Sequence, residues 1–159
     1  MSDTKHIAIL GAGIMGLYCA YELLHSTEDK TANITLYDPA GLQAQNASWM
    51  AGGMLAPYSE IEHMDMRWVK AGLTSIEHWR VSPLDCGFEQ SGSLMIAHPE
   101  DRHALERFAA HLPQASTNER TIPQEIEPAL PDKFKSGLYL SEEAHIEPRR
   151  AIAALSAYI

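Results

Sequence analysis

Gly11-Ala-Gly13-Ile-Met-Gly16 stands between the apolar run His6-Ile-Ala-Ile-Leu10 and residues 14 to 27, which carry apolar side chains at Ile14, Leu17, Tyr18, Tyr21 and Leu24. A short, almost continuously apolar run is the pattern of a strand covered on both faces in a parallel sheet. Steps of three and four place the residues that follow on one stripe of a helix. Asn33-Ile-Thr-Leu-Tyr37 then alternates and ends on Asp38, 22 residues past Gly16, as a second strand. Strand, helix and strand at this spacing make a βαβ unit with parallel strands, so the predicted class is α/β with a Rossmann-like fold.

Each member of the glycine segment has a physical task. Gly11 permits the tight turn, Gly13 lets the backbone approach a pyrophosphate, and Gly16 lets helix and strand pack closely. The amides of Ile14 and Met15 open the helix, where unpaired N–H groups and the helix dipole favour an anion. Asp38 is placed to accept hydrogen bonds from ribose hydroxyls, and its charge disfavours an additional 2′-phosphate. The constellation therefore predicts a dinucleotide site, and by itself it leaves FAD and NAD open, because both carry an adenosine and a pyrophosphate.

From Pro39 to Ser59 there is no charged residue, although Gln43, Gln45, Asn46, Ser48 and three glycines are present. Those polar residues and two prolines exclude a membrane span, and the segment reads as a loop and short helix whose backbone lies close to something large. Residues 67 to 81 predict a helix with Trp68, Gly72, Ile76 and Trp79 in register. Gly92-Ser-Leu-Met-Ile-Ala97 predicts a strand, and Pro99 the first residue of a helix running to about Leu112. Residues 113 to 133 read as irregular and Leu138-Tyr-Leu140 as a strand. Pro148 opens a last helix with Ile152, Leu155 and Ile159 on one face.

Composition narrows the function classes. The 159 residues are 45% hydrophobic and 21% charged, as in a globular protein. Acidic residues outnumber basic ones 21 to 12, for a net charge of −9, which repels nucleic acid and anionic membrane. Cys19 and Cys86 form no CxxC pair, so neither a zinc knuckle nor a disulfide scaffold is expected, and a reducing cytoplasm is the simplest location. Cys19 is expected to be a small packed side chain on the apolar side of the first helix. The start of the chain lacks a signal-peptide pattern, and no run approaches the length of a membrane helix. His98, His103 and His111 follow no metal-ligand spacing, so no metal site is expected.

Asn46-Ala-Ser-Trp-Met-Ala-Gly-Gly-Met-Leu-Ala-Pro57, with Glu60 close behind, resembles the segment after the second strand in the FAD-dependent D-amino acid oxidase superfamily. The resemblance is closest to the glycine oxidases of bacterial thiamine biosynthesis. Gly92-Ser-Leu-Met looks like the family's substrate-domain strand, and Ala144-His-Ile-Glu-Pro-Arg149 like its turn into a helix. The resemblance implies FAD as cofactor and assigns its contacts. Ile14 and Met15 would hold the pyrophosphate, with Gly11, Gly13 and Gly16 shaping the turn. Asp38 and Pro39 would serve the adenosine side, and Ala47 with Ser48 the phosphate and ribityl region. Gly52, Gly53 and Met54 would run beside the flavin ring, where small residues let backbone come close.

The implied reaction is oxidation of glycine or a related small amine or amino acid to the imine. The family's carboxylate-binding arginine has no match here; Arg149 and Arg150 read as surface or structural residues, and no catalytic residue is assigned. Two other readings stand beside this one, a non-catalytic nucleotide-binding fragment and an NAD-dependent dehydrogenase. Oligomeric state is open, although related oxidases are commonly multimeric. The expected organisation is an FAD-binding part over 1–66, the start of an inserted α+β substrate domain over 67–140, and a return to the FAD-binding part over 141–159. The last helix ends without a C-cap glycine or a following strand, so the chain is expected to be the N-terminal portion of a longer enzyme.

Overall fold

A computed structural model describes residues 5–26, 32–41, 46–113 and 118–159. In chain order the first elements are β1 (His6–Leu10), α1 (Ile14–Ser26), β2 (Asn33–Tyr37), α2 (Ala47–Met50), β3 (Met54–Leu55) and α3 (Met66–Val81). They are followed by β4 (Ser93–Ile96), a 3-10 turn (Pro99–Asp101), α4 (Arg102–His111), β5 (Asn118–Thr121), α5 (Pro123–Ile126), β6 (Gly137–Leu140), β7 (Ala144–His145) and α6 (Pro148–Ser156). Thr27, Gln43 and Gln45 lie outside the described residues, as does 114–117 of the segment read as irregular. The chain forms two compact units. The first takes in Met1–Gly53, Pro83–Gly87 and Ile146–Ile159, and the second Met54–Ser82 and Phe88–His145.

In the first unit β1 and β2 pair in parallel, in register from His6 opposite Asn33 to Leu10 opposite Tyr37. A parallel pair cannot be closed by a tight turn, and α1 supplies the crossover and packs on both strands. Leu17, Ala20 and Tyr21 form the buried side of α1, which packs against α6 and its buried Ala151, Ile152 and Leu155. The Tyr158 ring meets Tyr21 edge to face at 5.4 Å between centroids.

Several expectations change here. β1 is not covered on both faces: burial alternates, with Ile7 and Ile9 partly covered and Leu10 83% exposed. Leu24 is exposed although it shares the apolar spacing of α1. Cys19 is also exposed, because it falls between the buried positions 17 and 20; Cys86 is the buried cysteine. Ile159 does not extend the face of α6. The helix ends at Ser156, where the Ala157 amide donates back to the carbonyls of Ala153 and Ala154.

The second unit is built around an antiparallel sheet ordered β4-β6-β5. β6 is the central strand, and Gly137, Leu138 and Leu140 in it are buried. Leu138 and Leu140 belong to a core cluster with Tyr58, Ile61, Val69, Leu105, Phe108 and Leu112, drawn from α3, α4 and the segment after β3. The Asp65 side chain caps α3 by accepting the Arg67 amide at 2.8 Å, which fixes where that helix starts. Trp68 points outward and Val69 inward, one position from the predicted register.

The stretch read as irregular contains β5 and the single turn α5. β5 is polar, Asn-Glu-Arg-Thr, and it becomes a strand by pairing with β6, Arg120 opposite Leu138. Within α5 the Gln124 side-chain amide donates to the carbonyls of Pro131 and Phe134, which shapes the loop that follows the helix. Among the described residues, no helix is long and apolar enough to cross a membrane.

Candidate functional site

The glycine segment sits at the C-terminal end of β1. The Gly11 amide donates to the Tyr37 carbonyl at 2.7 Å, extending the ladder by one bond before the chain turns away with φ +106°. That φ is open to glycine and strained for other residues. The buried Ala12 donates its amide to Asp38 Oδ2 at 2.8 Å, and Asp38 Oδ1 accepts the Ala40 amide at 2.9 Å. Asp38 thus ties the end of β2 to the turn that leaves β1. The Ala12 amide, then that of Ala40, hold its carboxyl below the usual carboxylate range, so Asp38 is ionised at neutral pH. A carboxylate has about four acceptor positions, so these two amides leave room for further donors such as hydroxyls.

Gly13 opens α1, its carbonyl accepting the Leu17 amide at 3.0 Å. The Ile14 amide donates to Ser48 Oγ at 3.1 Å, so a hydroxyl from α2 reaches the first turn of α1. The other opening amides of a helix have no carbonyl partner four residues back, which makes this turn an anion-facing surface. Gly16 is required by contact: a Cβ there would stand 1.9 Å from the Gly11 carbonyl oxygen. Met15 beside it is 81% exposed. Asn46 caps α2, Oδ1 accepting the Trp49 amide at 3.0 Å, and so fixes the position from which Ser48 acts.

The structure therefore brings together Gly11, Gly13, Ile14, Gly16, Asp38 and Ser48, with Met15 and Pro39 exposed next to them and Ala47 exposed on α2. The other three predicted residues have separate surroundings. Gly53 is fixed by backbone: its φ is +77°, its carbonyl accepts the Ile146 amide at 2.9 Å, and a Cβ would lie 2.0 Å from the Ile146 carbonyl oxygen. Gly52 has no such neighbour; among the described residues a Cβ there would meet nothing within 4 Å. Met54 belongs to the second unit, is 66% exposed and pairs with His145 between β3 and β7.

Some contacts carried no clear mark in the sequence. Glu143 is fully buried, and its carboxylate accepts the Ser59 amide at 2.8 Å and the Ser59 hydroxyl at 2.9 Å. Neighbouring Glu142 accepts the Tyr58 hydroxyl at 3.0 Å; burial first, and then this bond, push the phenol up to about 12. Two adjacent glutamates in a turn look like solvated charge, and sequence spacing gives no hint of a partner 84 residues away. The cap at Asn46 was legible in principle, since Asn before a short apolar stretch is a helix-start signal. Among the described residues, no three His, Cys, Asp or Glu side chains gather as a metal site would require.

A helix start with unpaired amides thus lies beside an ionised acceptor at the end of the neighbouring strand. Known proteins resemble the chain over most of its length. The family described as FAD dependent oxidoreductase, DAO, matches residues 6–159. A Rhizobium etli protein named as a thiamine biosynthesis oxidoreductase, ThiO, is 32% identical over 151 residues, covering 95% of this chain and 45% of that protein. Among solved structures, glycine oxidase from Geobacillus kaustophilus superposes with a TM-score of 0.81 at 21% identity, over 96% of this chain and 44% of that one. An FAD-bound L-alpha-glycerophosphate oxidase from Mycoplasma pneumoniae gives 0.74 at 20% identity, over 98% and 42%. The chain spans less than half the length of these relatives.

Proposed function

The chain belongs to the DAO family of FAD-dependent oxidoreductases, and we propose that it forms the FAD-binding start of an enzyme that oxidises glycine or a related small amine or amino acid to the imine. The first unit is the Rossmann-like FAD-binding part, and the second is the beginning of the inserted substrate domain. The observation that carries this reading is the closed turn itself, in which Asp38 holds the Ala12 amide and Ser48 holds the Ile14 amide.

In this reading Gly11, Gly13 and Gly16 let the backbone come close to the pyrophosphate, and the opening amides of α1 with Ser48 bind it. Asp38 and Pro39 bound the adenosine ribose. Ala47 stands toward the ribityl chain, and Gly52 and Gly53 toward the flavin ring. The uncrowded Gly52 supports this fit, because no neighbour among the described residues explains its lack of a side chain. Bound FAD supplies the electron-accepting chemistry by which the α C–H bond of the amine is oxidised; the protein supplies position and electrostatics. The free cysteines accord with a reducing compartment such as the cytoplasm.

Titration of the purified chain with FAD, followed by flavin absorbance and fluorescence, tests the reading. Saturable binding at one FAD per chain is the expected result. Binding of NAD with none of FAD would overturn the cofactor assignment. Peroxide release on adding glycine or sarcosine separates a competent enzyme from a binding fragment.

A further inference from the structure

Arg149 and Arg150 both lie in the first turn of α6, where the positive end of the helix dipole disfavours cations. Arg150 has a local reason to be there. Its guanidinium pairs with Asp85, and with Glu147 at 3.2 Å, so two carboxylates offset the unfavourable position. Arg149 has no such partner among the described residues. Its guanidinium instead lies over the ring of Trp49, 5.5 Å from the centroid.

Trp49 places that cation. Its amide is held by Asn46, and the residue before it is Ser48, whose hydroxyl takes the Ile14 amide at the opening of α1. Arg149, α2 and the glycine turn all belong to the first unit. An arginine with no carboxylate partner among the described residues, set over the ring of the residue that follows Ser48, stands out in a chain of net charge −9. The charged group of the turn is Asp38, whose carboxylate is engaged by the Ala12 and Ala40 amides. A guanidinium can offer two parallel N–H donors as a fork, a geometry suited to phosphate oxygens.

We propose that Arg149, oriented by Trp49, is a binding residue for the phosphate-bearing part of the dinucleotide. The inference rests on the reading of the turn as an FAD site and adds a cation to it. Lysine would not replace it fully, because an ammonium does not donate as a fork.

The test measures FAD affinity of the parent chain, R149Q, R149K and R150Q over a range of salt concentrations, with a thermal midpoint for each. R149Q should bind FAD about tenfold more weakly at low salt, keep the parent midpoint and show a shallower dependence on salt. R149K should fall between the two, and R150Q should lower the midpoint more than the affinity. R149Q affinity within twofold of the parent would overturn the proposal, and so would a loss that leaves the salt dependence unchanged. Should R149Q lower the midpoint, R149M, which keeps the apolar stem and a strong helix former, decides by the same criteria. A parent chain that binds no FAD would overturn the site reading together with this inference, whereas an unaffected R149Q overturns this inference alone.

Discussion

The glycine turn of the first unit and the apolar cluster of the second are fixed by different kinds of force. In the first, directional polar contacts fix a turn: Asp38 on the Ala12 amide, Ser48 on the Ile14 amide, and the Gly11 amide on the Tyr37 carbonyl. Large apolar side chains near it, Leu10, Met15, Tyr37 and Met50, stay exposed. In the second, eight residues from several elements close into a buried cluster, and even its buried glutamate is satisfied, by Ser59. Burial is non-directional and holds elements together; hydrogen bonds specify where individual N–H groups point. In the proposed reading the turn presents amides to FAD, and hydrogen bonds supply the control which that needs.

The largest effect should come from the cluster. Leu140→Ala, in the covered central strand, is expected to cost about 3 kcal/mol, since a truncated core leucine loses its transfer energy and leaves a cavity. Hydrogen exchange should show protection lost throughout the second unit while the Ala12 amide keeps its own. Equal loss in both units would break the distinction between them.

Gly16→Ala should come next, costing about 2 kcal/mol by overpacking against the Gly11 carbonyl. The loss should fall on the first unit, and FAD affinity should drop along with the protection of the turn amides. An alanine variant with unchanged FAD affinity would mean that the close approach of helix and turn does not shape the site.

The smallest effect should appear in pH dependence. The folded carboxyl of Asp38 titrates below its ordinary value of 3.8, mainly through the Ala12 amide. A depressed acid contributes stability that is fully present above the unfolded value and is lost as pH falls through the folded one. Asp38→Asn should therefore flatten the fall of the thermal midpoint below about pH 4, with little change in the second unit's exchange. An unchanged acid limb would show that the amide bonds to Asp38 do not couple the turn to β2.

Much of the first unit was legible because its signals are local. Glycines at positions 11, 13 and 16, apolar runs of strand and helix period, and a terminal acid at 38 each report a backbone requirement that neighbours in sequence impose. The second unit was legible as elements more than as an arrangement. Helix α3 and strands β4 and β6 followed from periodicity, whereas β5 did not, because Asn-Glu-Arg-Thr has no apolar pattern and is a strand through its partner. Trp68 and Val69 exchange places relative to the spacing because packing against α4 and β6, rather than hydrophobicity alone, selects the inward face.

By itself the sequence determined the βαβ unit, the glycine turn and the acid that ends β2, since these depend on residues able to adopt one local conformation and on side chains within reach along the chain. Tertiary structure alone decided that Gly53 answers to the Ile146 carbonyl, that Ser48 meets the Ile14 amide, that Glu143 is buried against Ser59, and that Arg149 lies over Trp49. Each of these joins groups 34 to 100 residues apart. Hydrogen bonds and ring contacts act over a few ångströms, and folding, not spacing in the sequence, sets which distant groups come within that range.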